Sequence, residues 1–227
     1  PPVPASSAAG RPRPGVKVSA LVSTYAADRF IRGCLEDLVG QTLFARGELE
    51  IVVVDSASPG DEAAIVKAVM AEHDNIRYHR SPQREGVYAA WNRAARLASG
   101  RYLTNANTDD RHRPDALERL AAALDADAEL ALVYGDSLIT SRENARFDDG
   151  DADRRFAWPA WSRDKAIHGA FVGPHPMWRR SLHDTVGWFD ARYRVAGDYE
   201  MWLRMGEVRP LAHVDEVRAG VQPHGVA

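Results

Sequence analysis

Residues 49–60 read LEIVVVDSASPG, and this stretch decides the fold. Leu49 to Val54 is a β-branched run of strand length, the pattern of a strand covered on both faces. Asp55 to Gly60 is a polar turn at its carboxyl end. Upstream, Val16 to Val22 alternates as a strand and ends in Ser23-Thr24-Tyr25. A helix is predicted over Asp28–Gly40, with Phe30, Ile31, Leu35 and Leu38 at helical spacing, Asp28 as cap and Gly40 as stop. Downstream follow a helix over Asp61–Glu72, a strand over Ile76–His79 and a helix over Gly86–Ser99 closed by Gly100. Then come a strand over Arg101–Asn105, a helix over Pro114–Leu124 with Pro at its start, and a strand over Leu130–Tyr134.

Strands alternating with helices of about a dozen residues predict an α/β fold, a mostly parallel sheet with helices on both faces and right-handed crossovers. In such sheets ligands sit at the carboxyl ends of the strands. Ser23–Tyr25, Asp55–Ser58 and Asn107–Asp110 all fall there.

The second half changes character. Residues 136–166 are polar, with acidic and then aromatic segments, and predict a short hairpin or a long loop. A strand is expected over Ala166–Val172 and a helix over Pro176–Val186. An amphipathic helix is expected over Asp198–Gly206, anchored by Trp202 and Met205, and one or two closing strands over Leu211–Gln222. Residues 1–15 are rich in Pro, Ala, Ser and Gly and read as a flexible arm or linker. Residues 16–227 read as one domain, a first half to about residue 135 and a second from about 136.

The chain has 227 residues, 45% hydrophobic and 27% charged, enough for a sizeable core. A net charge of -3 argues against a protein whose main work is gripping nucleic acid. One cysteine, Cys34, excludes an internal disulfide and a cysteine-built zinc site, and reads as a packed residue of the first helix. No apolar run reaches the ~20 residues that span a bilayer. The sequence begins at Pro, not Met, and is expected to be part of a longer multidomain protein. It contains no GxGxxG after the first strand, no GxxxxGK[ST], no HExxH and no GxSxG.

Asp109 and Asp110 stand side by side in a strand-end loop. Adjacent carboxylates repel unless solvated or bridged, and hard cations take one or two carboxylates together with substrate phosphates. Their other use is a helix-start loop before Pro114. Asp198 in VAGDYEMWLR is a candidate base or an N-cap. Asp55 can accept from a ligand or from its own turn. His168, His175, His213 and His224 show no tight metal spacing, and the Arg179–Arg180 pair is a phosphate partner or a surface pair.

Four segments in order resemble the family 2 glycosyltransferases with the GT-A fold. VSALVSTYAADRFIRGCLEDLVGQT is similar to that family's first strand and helix, and LEIVVVDSASPG to its second strand and nucleotide-binding turn. EGVYAAWNRAARLASGRYLTNANTDDRHRPDAL is similar to its central segment with a DxD-type metal motif, and GDYEMWLR to the later motif carrying the catalytic base. Ser56 stands where the family often has a second Asp, Asn107 at the first Asp of the metal motif, and Gly197 where many members have Glu.

The resemblance implies a GT-A sheet, mostly parallel, with a smaller mixed C-terminal part. It implies a bacterial enzyme of polysaccharide or glycoconjugate synthesis, moving a sugar from a nucleotide-diphosphate sugar, most often a UDP-sugar, to a hydroxyl. That hydroxyl would belong to a glycan, a lipid-linked acceptor or a protein, and the anomeric configuration would invert. Thr24, Tyr25, Asp55 and Asp109 would hold the nucleotide, Asp110, Asp109 and His224 a Mn2+ or Mg2+, and Asp198 would be the general base. His175 and Trp178 would face the acceptor. The first half would bind donor and the second acceptor, in the cytoplasm or at the inner face of the membrane. Two other classes were weighed: a nucleotidyltransferase that makes nucleotide sugars, against which STYAADRF lacks a Gly-rich basic loop, and a non-catalytic nucleotide- or glycan-binding module.

Overall fold

The computed structural model describes residues 15–150, 152–169 and 172–221, the last six by backbone alone. The expected arm up to residue 14, and His224, lie outside the described residues. In chain order the elements are β1 (Val18–Thr24), α1 (Asp28–Val39), α2 (Thr42–Ala45), β2 (Leu49–Asp55), α3 (Glu62–Met70), β3 (Ile76–Arg80), α4 (Val87–Leu97), β4 (Tyr102–Asn105) and β5 (Arg111–His112). There follow α5 (Ala116–Ala126), β6 (Leu132–Ile139), β7 (Arg154–Phe156), α6 (Arg163–Ala166), β8 (Met177–Arg179), α7 (His183–Val186), α8 (Gly197–Val208) and β9 (Leu211–Val221).

One sheet carries them in the order β3-β2-β1-β4-β8-β6-β9-β5, with β7 on β6. The block β3-β2-β1-β4 is parallel throughout. β8 then runs antiparallel to both β4 and β6, β9 is parallel to β6, and β5 is antiparallel to β9. The strand order reverses across β1, since β2 lies on one side and β4 on the other. Loops from their carboxyl ends therefore part there and leave a crevice.

Period-2 alternation explains the layering. Val18, Ala20, Val22, Ile51 and Val53 pack with Ile31, Leu35 and Leu38 of α1 and Val66 of α3. Leu21, Val52 and Val54 point the other way, onto Tyr88, Trp91, Ala94 and Ala95 of α4. All seven positions of β2 are buried, as expected of a strand covered on both faces.

The amino edge of this block is closed by Glu50, which is fully buried. Its Oε1 accepts from Ser19 Oγ at 2.6 Å and Ser99 Oγ at 2.9 Å, and Oε2 lies 3.4 Å from Arg77 Nε.

Several expectations need correction. Ala27, not Asp28, holds the cap position of α1, and the Asp28 carboxylate accepts from the Arg29 N–H. The helix expected over Pro176–Val186 begins as strand β8, because the free edges of β4 and β6 need a partner between them; 3-10 and α turns follow from Arg180. Within the span expected as strand 166–172, the described residues form the end of α6 and a turn. The acidic segment leads into a hairpin, β7 returning along β6 with Ser137 opposite Phe156. Residue 135 lies inside β6, within one sheet that carries strands of both halves.

Arg179 does not meet solvent. Its guanidinium donates to the carbonyls of Leu130 (2.8 Å), Leu124 (2.6 Å) and Asp127 (2.9 Å), satisfying the end of α5, while Arg180 Nε donates to the Gly100 carbonyl at 2.9 Å. The phosphate reading of this pair is thereby replaced by a backbone clamp. Cys34 is buried in the α1 interface, and burial pushes its thiol up to about 12, so it is a packing residue. Among the described residues no helix is long and apolar enough to cross a membrane.

Candidate functional site

A cleft of about 750 Å³ lies over the carboxyl ends of β1 and β2, lined by Thr24, Tyr25, Ser56, Arg84, Tyr193 and Arg194 among others. Thr24 and Tyr25 line it from the end of β1. Thr24 is buried, and its hydroxyl has no hydrogen-bond partner among the described residues. Such a buried polar atom is costly unless something else satisfies it. Tyr25 stands exposed at the rim, with the Arg84 guanidinium 4.1 Å above its ring.

Asp55 is placed differently from the expectation. It is fully buried, and its carboxylate accepts from the Ser58 N–H (2.7 Å), the Tyr78 hydroxyl (2.6 Å) and Arg80 Nη1 (2.5 Å). Burial alone would raise its carboxyl; the bonds from Tyr78, Ser58 and Arg80 outweigh burial and hold it below the usual range. Asp55 therefore shapes the turn, and its neighbour Ser56 lines the cleft.

The backbone of these loops is strained. Ala26 (φ 51°), Ala57 (φ 57°) and Ala196 (φ 61°) are left-handed, after β1, after β2 and before α8. A non-glycine residue there costs of order 1–3 kcal/mol.

Asp110 is buried beyond β4, and its Oδ2 accepts from Asn107 Nδ2 at 2.9 Å and lies 3.1 Å from His175 Nε2. Burial would raise this carboxyl too, but His175, Asn107 and His112 more than cancel it and keep it low. Both of these contacts fall on Oδ2. Asn107, in place of the first Asp of the motif, supplies a donor where a third carboxylate would repel. No group of three or more His, Cys, Asp or Glu forms a closed metal cage among the described residues. The donor set suits Mg2+ or Mn2+, which keep positions open for waters and phosphate oxygens. Asp109, half-buried, adjoins it. The N-cap of α5 is Asp115, so the helix-start use of Asp109 and Asp110 is not what the fold makes of them.

Arg111, which the sequence reading passed over, locks this loop. Buried itself, it donates to the carbonyls of Thr108 (2.9 Å) and Asp110 (2.7 Å) and to Asn144 Oδ1 (2.5 Å). Gly33 of α1 makes the room, since a Cβ there would run into the guanidinium.

His175 is buried against Asp110 and edge-on to His112, ring centres 4.4 Å apart, so it faces the Asn107–Asp110 loop and not an open acceptor surface. Trp178 is fully buried in the core with Phe189 and Trp202, donating Nε1–H to His183 Nε2 at 3.1 Å. Its expected acceptor contact is corrected accordingly: strand β8 turns the side chain into the aromatic core.

Asp198 lies in the first turn of α8. The cap position is Ala196, and no side chain caps this helix, so the N-cap use of Asp198 is excluded. Its carboxylate is held by another element: the Tyr88 hydroxyl donates to Oδ1 at 3.1 Å. Tyr193 and Arg194, in the segment leading into α8, and Gly86 and Val87, beside Tyr88, line the cleft. The cleft and Asp198 are thus neighbours through two elements.

A parallel α/β block with a cleft at its strand-order reversal, and carboxylates beyond β4 and at the start of α8, fits the GT-A fold. Residues 19–185 match the family model described as glycosyl transferase family 2, and the chain belongs to that family: it is a glycosyltransferase. It is 28% identical over 208 residues to the chondroitin synthase of Escherichia coli, covering 92% of this chain and 29% of that protein. It is 30% identical over 190 residues to a PGL/p-HBAD biosynthesis glycosyltransferase of Mycobacterium tuberculosis, covering 82% and 68%. The chain thus spans under a third of the length of the synthase. Among solved structures it resembles S. aureus TarS 1-349 in complex with UDP (TM-score 0.72, 19% identity, 91% of this chain and 60% of that one). It resembles equally the mannosyltransferase PcManGT of Pyrobaculum calidifontis in complex with GDP-Man and Mn2+ (TM-score 0.72, 19% identity, 96% and 60%).

Proposed function

We propose that this chain transfers a sugar from a nucleotide-diphosphate sugar, a UDP-sugar first among candidates, to a hydroxyl with inversion at the anomeric carbon. The observation that carries the reading is Asp198, a carboxylate not used as a cap and held by Tyr88 beside the cleft. Support for the donor class comes from the fold neighbours, whose structures contain UDP and GDP-Man. Residues to about 135 supply most of the donor side, joined by Arg194 from the second half, and those beyond supply the acceptor side and the base.

The base of the nucleotide stacks on the face of Tyr25 that Arg84 does not cover, and Thr24 Oγ1 satisfies its hydrogen bond on the nucleotide. Arg84 and Arg194 bring positive charge to the diphosphate. A Mn2+ or Mg2+ held by Asp110 and Asp109 would add charge neutralisation at the leaving diphosphate when bound. Arg111 and His175 keep Asp110 in place for that task. The acceptor oxygen attacks the anomeric carbon as the bond to the diphosphate oxygen breaks, its electron pair leaving with the nucleoside diphosphate. Asp198 takes the acceptor proton. The acceptor is a glycan, lipid-linked or protein hydroxyl, and the chain works in the cytoplasm or at the inner face of the membrane.

A panel of UDP-, GDP-, dTDP- and CMP-sugars, with Mn2+ and with chelator, tests the donor and the cation together through the melting temperature. A UDP-sugar that stabilises only with the cation present is expected, and in Asp110→Ala the cation should no longer restore that stabilisation. UDP binding that ignores divalent ions in the unaltered chain would remove Asp110 from the scheme.

A further inference from the structure

We propose that Tyr88 is the positioning residue of the base: its hydroxyl fixes the Asp198 carboxylate in the attitude that receives the acceptor proton, and Gly197 exists to let it in. The inference rests on Asp198 being the base.

Three observations converge. First, the phenol has one proton to give, and its use is determined. The Gly197 N–H donates to the Tyr88 oxygen at 2.8 Å, so the oxygen's acceptor side is occupied and its proton points to Asp198 Oδ1, 3.1 Å away. Second, the ring cannot swing. It meets Trp91 edge-on at 5.5 Å and stacks on Phe189 at 6.1 Å. On a third side lies Gly197, where a Cβ would stand 2.7 Å from the ring. Third, Asp198 has no cap bond to orient it, so among the described contacts the phenol alone fixes its rotamer. The departure at 197, glycine where many family members carry Glu, thus has a local cause: any side chain there would expel the ring.

Position matters at a base because proton transfer needs hydrogen-bond reach in the reacting pose, and misplacement of about 1 Å can cost ~10²-fold. A purely structural use of the hydroxyl competes, since buried tyrosine hydroxyls generally find a partner. The two differ in what Tyr88→Phe does to turnover.

The experiment compares the full chain with Tyr88→Phe, Asp198→Asn and the double variant. The probe is nucleoside diphosphate release from UDP-GlcNAc or GDP-mannose with Mn2+, water serving as the acceptor hydroxyl. Tyr88→Phe is expected to lower kcat by roughly 10- to 100-fold, with donor affinity and KM unchanged within about twofold. In the Asp198→Asn background the same change is expected to add almost nothing, because there is no base left to place. Unaltered kcat in Tyr88→Phe, or an equal penalty in both backgrounds, overturns the inference. Full activity of Asp198→Asn overturns the base assignment itself, and so separates the two failures. If Tyr88→Phe does not fold, Gly197→Ala keeps the hydroxyl but displaces the ring; the same loss in kcat is expected, and wild-type kcat in that variant refutes the role.

Discussion

The two edges of the parallel block are built on opposite terms. At the amino edge, Glu50 gathers donors from two neighbouring segments and an arginine, and the left-handed positions before β1 and β2 are glycines, Gly15 and Gly47. At the carboxyl edge, three alanines are left-handed, Thr24 carries an orphan hydroxyl, and a cleft stands open. Both ends of β2 bear a fully buried acid, Glu50 and Asp55. The amino end spends its acid on holding strands together, and the carboxyl end spends its acid on bending a loop toward the cleft. Stability is concentrated at one edge, and strain is concentrated where the chemistry is proposed.

The strongest way to break this contrast is a pair of substitutions. Asp198→Asn is expected to lower transfer by about 10²–10⁴-fold while the melting temperature barely moves. Glu50→Ala is expected to do the reverse, costing about 3–5 kcal/mol because it leaves buried donors unsatisfied and Arg77 without its carboxylate, its bond to the Leu97 carbonyl remaining. Activity per folded molecule should then stay near wild type. If Glu50→Ala instead removed turnover without unfolding, the amino edge would have a functional role after all.

A smaller effect sharpens the strain argument. Ala57→Gly should stabilise the chain by about 0.5–1 kcal/mol, since glycine adopts the left-handed backbone without penalty. Ala94→Gly, in the buried helix α4, should cost about 1 kcal/mol by the same residue change. Calorimetry on the two variants gives opposite signs if the assignment of strain is right.

The smallest expected effect concerns pH. Burial pushes the His183 imidazole below its ordinary value, and its Nε2 accepts from Trp178 while Nδ1–H donates to the Gly187 carbonyl at 2.8 Å. The native state therefore holds the ring neutral, whereas the unfolded chain protonates it near ~6.5. Its contribution is whole above that value and is lost as pH falls toward the depressed folded value. The melting temperature should decline between pH 7.5 and about 5.5, and His183→Phe should decline less; equal slopes would place the titration elsewhere.

The parallel block was legible because its signal is local. Ile51 to Val54, the turn at Asp55 and the helical spacing of Ile31, Leu35 and Leu38 are all readable within a dozen residues. Strand β8 was not, because Met177-Trp178-Arg179 is too short to show a period and is made a strand by partners far away in the chain. The site divided in the same way. Asp109, Asp110 and Asp198 could be singled out as carboxylates in loop or helix-start positions. Tyr88 and Arg111 stood out by no local signal, since Tyr88's partner is 110 residues distant and Arg111 reaches Phe30 across 81. Two glycines, Gly33 and Gly197, were the available hints: each stands in a helix where nothing local calls for it.

The lateness of Arg179 also sets a timetable. Tyr102, on β4, is made 77 residues before the arginine that pairs with it and closes the end of α5. At a synthesis rate of about 5–20 residues per second, that is roughly 4–15 s during which the outer edge of β4 has no neighbour. An unpaired edge is a template for foreign strands, and the brevity of β4, four residues, limits the hazard. A nascent chain halted near residue 150 should therefore be captured by chaperones more strongly than one halted beyond residue 221, and equal capture of the two would show that the edge is covered by other means.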